Sequence, residues 1–474
     1  MFDMKRIDAH IVGRSMGRAI VAAILLMTLG SVTPSYGQIT VKDLTGSDEV
    51  GPYYQDIEDA IKRYQARDID GARRLLQEAR KKSTRLAPPE AMLARMLFAS
   101  NQRPGAYAEL ERAVTNNPDD PEPFLLLADI AFAEGRLTES GMLYGQAIQT
   151  ADKYSENPRR KKELQGRGHA GMAAVHEARK QWKTALPHLE AWAKLDPDNS
   201  APHSRLGRTL FELGQRKEAY SELQAAAKAD PKSRPAEFLL ATLYYNAKDP
   251  QAEKWIKAGL VRNKGFAAQS AAAQLYLQMN QPKQALPYAE AAVKLEPKDV
   301  DANFVRGLVA RLLKDYETAE KYFERAHLLS PSNFQAINQL TLTLVEQDNE
   351  EDRKRAYEFA EWLARQAART PQANEATGTL GWVQYRTGRT AEGERTLTSL
   401  AAAGGFANAD TAYFVANVLK DQGRTADALK VLELALQGDR AFGYRDEAEA
   451  LRKKLKAQDT PATSSSEKPG ALPQ

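Results

Sequence analysis

Two short segments of this chain have residues at the spacing of known catalytic motifs. Residues Gly13 to Gly17, GRSMG, match the nucleophile elbow, in which a strained turn between a strand and a helix exposes a serine hydroxyl. That segment falls inside an N-terminal stretch that reads as a removable signal. Ser465 and Lys468 have the S-x-x-K spacing, but they lie in a tail where no pocket can position them. Neither segment predicts catalysis.

A third segment has the spacing of a phosphate-binding loop. Residues Gly166 to Gly171, GRGHAG, match the dinucleotide fingerprint, yet RRKKELQ precedes them instead of an apolar strand. We interpret these glycines as loosening the start of a helix. No Gly-Lys dipeptide occurs, which excludes a Walker-type loop. Asp68 and Asp70 resemble a calcium loop, but Ala66 and Gln77 stand where ligands are required.

The histidines are few, and their spacing argues against a metal site. His169 and His176 are two helical turns apart, about 10 Å, which is too far for one zinc ion. His203 falls on a position that packs within its own repeat. We therefore predict that these histidines are structural and that the protein holds neither a metal nor a cofactor.

The elements that would position these residues follow a fixed period. Small residues and a proline recur at constant offsets, and the last two of three sets are 34 residues apart at every position. Such a period indicates one helix-turn-helix unit copied many times, each copy burying its apolar side against its neighbours. The sets are Gly207, Ala219, Ala226 and Pro231, then Ala273, Ala285, Ala292 and Pro297, then Gly307, Ala319, Ala326 and Pro331.

This pattern resembles the tetratricopeptide repeat, whose 34-residue unit has small residues at positions eight, twenty and twenty-seven and proline at thirty-two. The resemblance implies an all-α fold, an α-solenoid that winds as a right-handed superhelix. It also implies a binding scaffold and not an enzyme. Position eight is small in ten of eleven copies, Thr341 being the exception. The copies begin at Tyr53, Ala87, Pro121, Gly166, Ser200, Arg234, Phe266, Val300, Phe334, Asn374 and Ala409.

In the family, first helices line the concave face, and positions two, five, nine, twelve and thirteen point into it. Position twelve is aromatic in six repeats, and the charged or polar residues at position nine include Arg95, Asp129, Arg208 and Gln274. An aromatic ladder with polar companions could hold an extended peptide or an amphipathic helix. Alternatively, these aromatics only pack against adjacent helices. We also predict that Arg95 pairs with Phe98, and Arg208 with Phe211. The candidate partner-binding residues are Arg95, Phe98, Asp129, Phe132, Arg208, Phe211, Tyr245, Trp382 and Tyr385.

Departures from the period give the organisation of the chain. Residues 347–355 lengthen one hairpin turn, and Trp192 at position twenty-seven argues for wider local helix spacing. The ends lack the repeat pattern. The predicted segments are a signal peptide at 1–37, a flexible lead or short cap at 38–52, repeats one to three at 53–154, a charged insertion at 155–165, repeats four to eleven at 166–442, a C-terminal capping helix at 443–456 and a disordered tail at 457–474.

Charge and composition bear on location and partners. A basic stretch precedes an apolar run from Ala19 to Gly30, which is shorter than the roughly 20 residues of a membrane span. We predict cleavage before Gln38, a periplasmic or secreted protein and no stable membrane span afterwards. Without the signal, 62 basic and 60 acidic residues remain, so the near-neutral chain predicts no nucleic-acid partner. Cysteine is absent, so stability depends on packing alone.

These observations predict a non-enzymatic protein-protein interaction scaffold of the cell envelope. It would bind a peptide or protein segment in its concave groove, and the resemblance together with export suggests envelope assembly or polysaccharide export. One alternative is a superhelix that binds a carbohydrate or small ligand on the aromatic face. Another is a cytosolic adaptor, if the N-terminus is not a signal. The partner and the oligomeric state stay open.

Overall fold

The computed structural model describes residues 39–45, 50–406, 408–437 and 442–459. The predicted signal peptide, the GRSMG segment, Ser465 and Lys468 lie outside these residues. Every regular element in the described part of the chain is an α-helix, and there are 24 of them. The helices form a repeated array, which confirms the predicted all-α solenoid.

Packing divides the array into two compact units, Met1–Ala236 and Glu237–Gln474. Among the described residues of unit 1, a short helix precedes five helix hairpins. These helices are α1 (Val41–Thr45), α2 (Tyr54–Gln65), α3 (Ile69–Lys82), α4 (Pro89–Ala99), α5 (Arg103–Asn116), α6 (Glu122–Ala133), α7 (Leu137–Lys153), α8 (Pro158–Ala178), α9 (Trp182–Leu195), α10 (Ser200–Glu212) and α11 (Arg216–Ala229).

The part of unit 2 that the structure describes contains six hairpins followed by one further helix. Its first helix begins at the boundary between the units. The helices are α12 (Ala236–Asn246), α13 (Gln251–Arg262), α14 (Phe266–Gln278), α15 (Pro282–Leu295), α16 (Val300–Leu312), α17 (Tyr316–Leu329), α18 (Phe334–Leu344), α19 (Glu350–Ala367), α20 (Ala373–Arg386), α21 (Thr390–Ala402), α22 (Ala409–Asp421), α23 (Thr425–Ala435) and α24 (Arg445–Asp459).

Small residues at position eight let the two helices of a hairpin approach closely. A Cβ atom added at Gly307 would lie 2.7 Å from the Phe323 ring, and one added at Gly207 would lie 2.8 Å from Leu223. Ala319 and Ala326, at positions twenty and twenty-seven, are completely buried. Larger side chains at these positions would force the helices apart.

The hairpin turns share a backbone feature that the sequence pattern did not reveal. In ten of the eleven repeats, the residue at position fifteen has a positive φ, and only four of those residues are glycine. The left-handed conformation reverses the chain between the two helices. These residues are Arg67, Asn101, Gly135, Lys180, Gly214, Lys248, Asn280, Lys314, Gly388 and Gly423.

The charged insertion is continuous with the helix that follows it. Asn157 accepts a hydrogen bond from the Arg160 N–H and caps α8, which then runs without a break for 21 residues to Ala178. The prediction that glycines loosen this helix is therefore wrong. A Cβ atom at Gly168 would lie 2.8 Å from Ile148, and one at Gly171 would lie 2.2 Å from Tyr144. These glycines instead let α8 pack closely against α7.

Other boundaries also differ from the sequence interpretation. Asn349 caps α19, so residues 350–355 belong to a helix and the turn between α18 and α19 is 345–349. Within the predicted lead, α1 buries Val41 and Leu44. The last helix, α24, continues to Asp459, into the stretch that was predicted to be disordered.

Candidate interaction surface

First helices of successive hairpins contact one another within each unit, for example α4 with α6, α6 with α8, and α18 with α20. We call the surface that these helices form the first-helix face of that unit. The family pattern assigns positions two, five, nine, twelve and thirteen of the repeats to this face. Among the described residues, two clusters of contacting side chains lie on these faces: a charged network in unit 1 and an aromatic cluster in unit 2.

The charged network of unit 1 joins three successive first helices. Arg95 on α4 and Arg167 on α8 both donate to the carboxylate of Glu122 on α6, the Arg167 Nη1 to Glu122 Oε1 distance being 2.6 Å. Arg167 also lies 3.4 Å from Asp129, which accepts a hydrogen bond from the Tyr144 hydroxyl. The network therefore fixes charged side chains in place across the face.

Arg160, from the charged insertion, connects this network to Asp120. Its guanidinium donates to both carboxylate oxygens of Asp120, at 2.7 and 2.8 Å, and to the Tyr154 hydroxyl at 2.8 Å. It is 3.4 Å from Glu122 and almost completely buried. The bidentate pair satisfies a buried charge that would otherwise be costly.

The network sets the protonation of its carboxylates. Burial alone would raise the pKa of Glu122, but the guanidinium groups of Arg167, Arg95 and Arg160 outweigh burial and hold that pKa well below its usual range. Burial raises the pKa of Asp129 despite the nearby Arg167. Glu122 thus stays ionised and holds both arginines in place.

The aromatic ladder at position twelve is only partly accessible. Tyr64, Phe132 and Phe211 are buried, and the Tyr64 hydroxyl donates to the Met96 carbonyl at 3.1 Å. This burial favours the packing interpretation for these three residues. Half-buried members that retain exposed surface are Phe98, Tyr245 and Tyr385.

The predicted cation-aromatic pairs are replaced by other partners. The Arg208 guanidinium lies over the Trp182 ring at 5.5 Å, and the cation over Phe211 is Arg216, at 3.6 Å. Arg95 binds Glu122 and also donates to the Leu44 carbonyl. Side chains one turn apart on one helix were expected to pair. Carboxylates and rings on neighbouring hairpins compete successfully for these arginines.

The first-helix face of unit 2 is covered by a segment of the same chain. Trp382 is buried in a cluster with Phe414, at 4.6 Å between ring centroids, and with Tyr413 and Tyr444. Tyr385 stacks on Trp382 at 5.7 Å. Trp382, predicted to contact a partner, is therefore a core residue of this unit.

Sequence reasoning missed several of these residues. Glu122 and Arg167 occupy position two of their repeats, which the family pattern already assigned to the inner face, so a signal was present. Arg160 lies outside the repeat period, and its partner Asp120 is 40 residues away. Tyr444 follows the last repeat, where no repeat position applies.

Three histidines converge on the hairpin of α8 and α9. His169 Nδ1 and His188 Nδ1 are 3.0 Å apart, and the rings of His176 and His188 stack at 5.9 Å. Within the described residues, no group of three or more potential ligands could hold a metal ion. Burial first, and then the neighbouring His169 and His176, lower the pKa of His188 to about 4.

Comparison with known protein families identifies the repeat. Models of the tetratricopeptide repeat match residues 63–130, 177–239 and 270–333. No curated protein matches the sequence significantly. In the part of the chain that the structure describes, no helix has the length and apolar character needed to cross a membrane.

Several solved structures are similar to this chain at low identity. A tetratricopeptide repeat protein from Parabacteroides merdae ATCC 43184 is 13% identical over 61% of this chain and 98% of its own, with a TM-score of 0.37. Yeast Tom70 is 12% identical over 86% and 96%, with a TM-score of 0.36. YrrB, described as a protein of this repeat class with an unusual peptide-binding site, is 17% identical over 48% and 95%, with a TM-score of 0.25. No functional conclusion follows from these similarities.

Proposed function

Because the chain is built from tetratricopeptide repeats, we propose that it is a non-enzymatic scaffold that binds a protein segment along the first-helix face of unit 1. Proteins with this repeat bind protein or peptide partners, and the repeat fold is typically not enzymatic. The proposal adds where the partner lies and which chemistry it has.

The observation that carries the proposal is the exposed edge of the charged network. The side chains of Arg95, Asp129 and Arg167 keep 24%, 24% and 37% of their surface exposed, although each is fixed by ion pairs. Side chains held in one conformation lose less entropy when a partner binds. This surface is therefore preorganised for polar recognition.

The partner we infer is a segment that carries carboxylates between apolar residues. Of the three partly exposed groups, Arg95 and Arg167 are guanidinium groups and Asp129 is a carboxylate. The carboxylates of Glu122 and Asp120 are only 7% and 6% exposed. Guanidinium groups bind carboxylates in a bidentate manner. Arg208 on Trp182 and the half-buried Phe98 add cationic and apolar contacts on the same face.

Titration calorimetry with the recovered partner tests this proposal. We expect the double variant Phe98→Ala, Arg208→Ala to weaken binding by about tenfold or more, because aromatic and arginine side chains often dominate interfaces. The matched control is Lys228→Ala, an exposed site on the second helix α11. Unchanged affinity in the double variant, at an unchanged melting temperature, would exclude this face.

We propose further that the protein works outside the cytoplasm, in envelope assembly or polysaccharide export. The support is the N-terminal sequence, a basic stretch followed by a short apolar run. N-terminal sequencing of protein from the native host should find Gln38 or a neighbouring residue first. An intact Met1 on cytosolic protein would instead favour the cytosolic adaptor.

The aromatic ladder offers little surface for the carbohydrate-binding alternative, because only its half-buried members Phe98, Tyr245 and Tyr385 retain exposed surface. Binding a sugar ring requires exposed aromatic faces. Phe132, Phe211 and Trp382 are 7%, 3% and 2% exposed. We therefore retain the protein-binding scaffold as the function that this surface favours.

A further inference from the structure

The first-helix face of unit 2 binds the side chain of Tyr444, a residue outside the repeats, as it would bind a ligand. Tyr444, between the last repeat and α24, is 3% exposed. Its hydroxyl donates to Glu346 Oε1 at 2.8 Å and accepts from Trp382 Nε1 at 3.1 Å. The Tyr413 ring stacks on its ring at 5.1 Å, and the Arg311 guanidinium lies over it at 4.9 Å.

These contacts come from four successive repeats. Arg311 is at position twelve of its repeat, Glu346 at thirteen, Trp382 at nine and Tyr413 at five. All four are positions that line the inner face of the tetratricopeptide repeat. A side chain from outside the repeats therefore occupies the surface on which a partner segment would lie.

The residues next to Tyr444 in the sequence show which kind of segment fits on this face. Phe442 is buried. A Cβ atom at Gly443 would lie 2.1 Å from Arg311 Nη1, so the Arg311 guanidinium would have to shift to admit a larger residue there. After Tyr444, α24 begins, and its Glu447 pairs with Lys314 at 2.7 Å. The face thus accepts an aromatic residue, a glycine and a tyrosine, followed by a helix.

With Tyr444 in place, two donor groups of Arg311 have no hydrogen-bond partner among the described residues. Arg311 is 3% exposed and donates from Nη1 to Gln339 at 2.8 Å, but its Nε and Nη2 have no hydrogen-bond partner among the described residues. The nearest carboxylate oxygen, on Asp410, is 3.9 Å away. Unsatisfied buried donors cost free energy, so an occupant that supplied acceptors could compete with the present one.

We propose that the first-helix face of unit 2 is a second binding site, for a partner segment that presents a tyrosine ahead of a helix, and that residues 442–459 occupy it in cis. The site is separate from the surface proposed for unit 1. A covalently linked occupant has an effective concentration near the millimolar range, so a free peptide displaces it poorly. A partner binds when it presents the same phenol with additional acceptors for Arg311.

A fluorescent peptide with the sequence of residues Phe442–Asp459 tests this inference, titrated against the full chain by anisotropy. We expect weak binding to the wild type and binding at least about tenfold tighter to the Tyr444→Ala variant, because the competing phenol is gone. The same peptide with Tyr444→Ala should not bind. Adding Glu346→Gln to the variant should weaken the peptide again.

A second variant separates the loss of the competing segment from a general loss of folding. Glu447→Ala in the chain, with the peptide unchanged, removes the cis ion pair to Lys314 on the surface and leaves the aromatic cluster intact, so it should raise peptide affinity to a smaller extent. Circular dichroism establishes that both variants keep their helices. Equal affinity for the wild type and both folded variants, or no binding to either variant, would overturn the proposal.

Discussion

At the scale of single residues, the histidine cluster makes the stability of unit 1 depend on pH. The pKa of His188 falls to about 4 in the folded protein, because of burial first and then His169 and His176. An unfolded histidine has a pKa of about 6.5. As the pH falls from about 6.5 to 4, the unfolded chain binds a proton that the folded protein excludes, so the free energy of unfolding decreases.

The variant His188→Gln isolates this effect from that of the carboxylates. It removes the titrating group, so its melting temperature should fall less than that of the wild type between pH 7 and pH 5. Thermal melts followed by circular dichroism measure the difference. If both proteins lose the same number of degrees, His188 titrates normally and this account of the cluster is wrong.

Glu122 and Tyr444 show where residue-level prediction stops. The family pattern assigned position two to the inner face, and Glu122 lies there, although its role depends on Arg160, in the part of α8 that precedes the repeat period. No pattern in the sequence brings Tyr444 to Glu346, since the two residues are 98 positions apart. Local periodicity specifies a face, whereas partners on that face depend on tertiary packing.

At the scale of elements, the hairpin turns predict that glycine substitutions at two lysines have opposite effects on the free energy of unfolding. Lys248 has a φ of 55° at position fifteen, a conformation that costs non-glycine residues about 1 kcal/mol. Lys248→Gly should therefore leave the free energy of unfolding unchanged or raise it by up to about 1 kcal/mol. The control is Lys254→Gly, exposed within α13.

That control should lose about 0.5–1 kcal/mol, because glycine weakens a helix interior. Urea unfolding of the two variants beside the wild type supplies the comparison. Equal losses at both positions would show that the turn gains nothing from glycine and that the left-handed turn is not strained.

Close packing of α7 against α8 yields a second prediction at this scale. In Gly171→Ala, the new methyl group would meet the buried Tyr144 ring at 2.2 Å, so the variant should lose about 1–3 kcal/mol. In Gly141→Ala, the methyl group would lie 3.6 Å from Val175, an ordinary contact, and helix propensity should make the variant neutral or stabilise it by up to about 1 kcal/mol. Thermal melts that rank the two variants in the reverse order would contradict this packing.

The sequence predicted the elements better than their ends. The period of small residues predicted the hairpins, since close helix packing requires Gly or Ala at those positions. It did not predict that residues 158–165 continue into the following helix, because Gly166, Gly168 and Gly171 were interpreted as loosening the start of that helix. Their actual role became visible only with Tyr144 and Ile148 in place, on a different helix.

At the scale of the whole molecule, each unit has a terminal segment on its own first-helix face. In unit 1, the Arg95 guanidinium donates to the carbonyls of Asp43 and Leu44, at 3.4 and 3.3 Å, and so holds α1. In unit 2, Tyr444 is held by Glu346 and Trp382. The surface to which we assign the partner begins at Arg95 and Phe98 on α4 and continues to Arg167 on α8 and Arg208 on α10.

Site-specific photo-crosslinking in the native host tests that assignment most directly. A photoreactive phenylalanine analogue would replace Arg208 on the first-helix face or Lys228 on the second helix α11. We predict that irradiation yields a discrete protein adduct from position 208 and none from position 228. Adducts from position 228 alone, or equal adducts from both positions, would contradict the account that the first-helix face of unit 1 binds the partner.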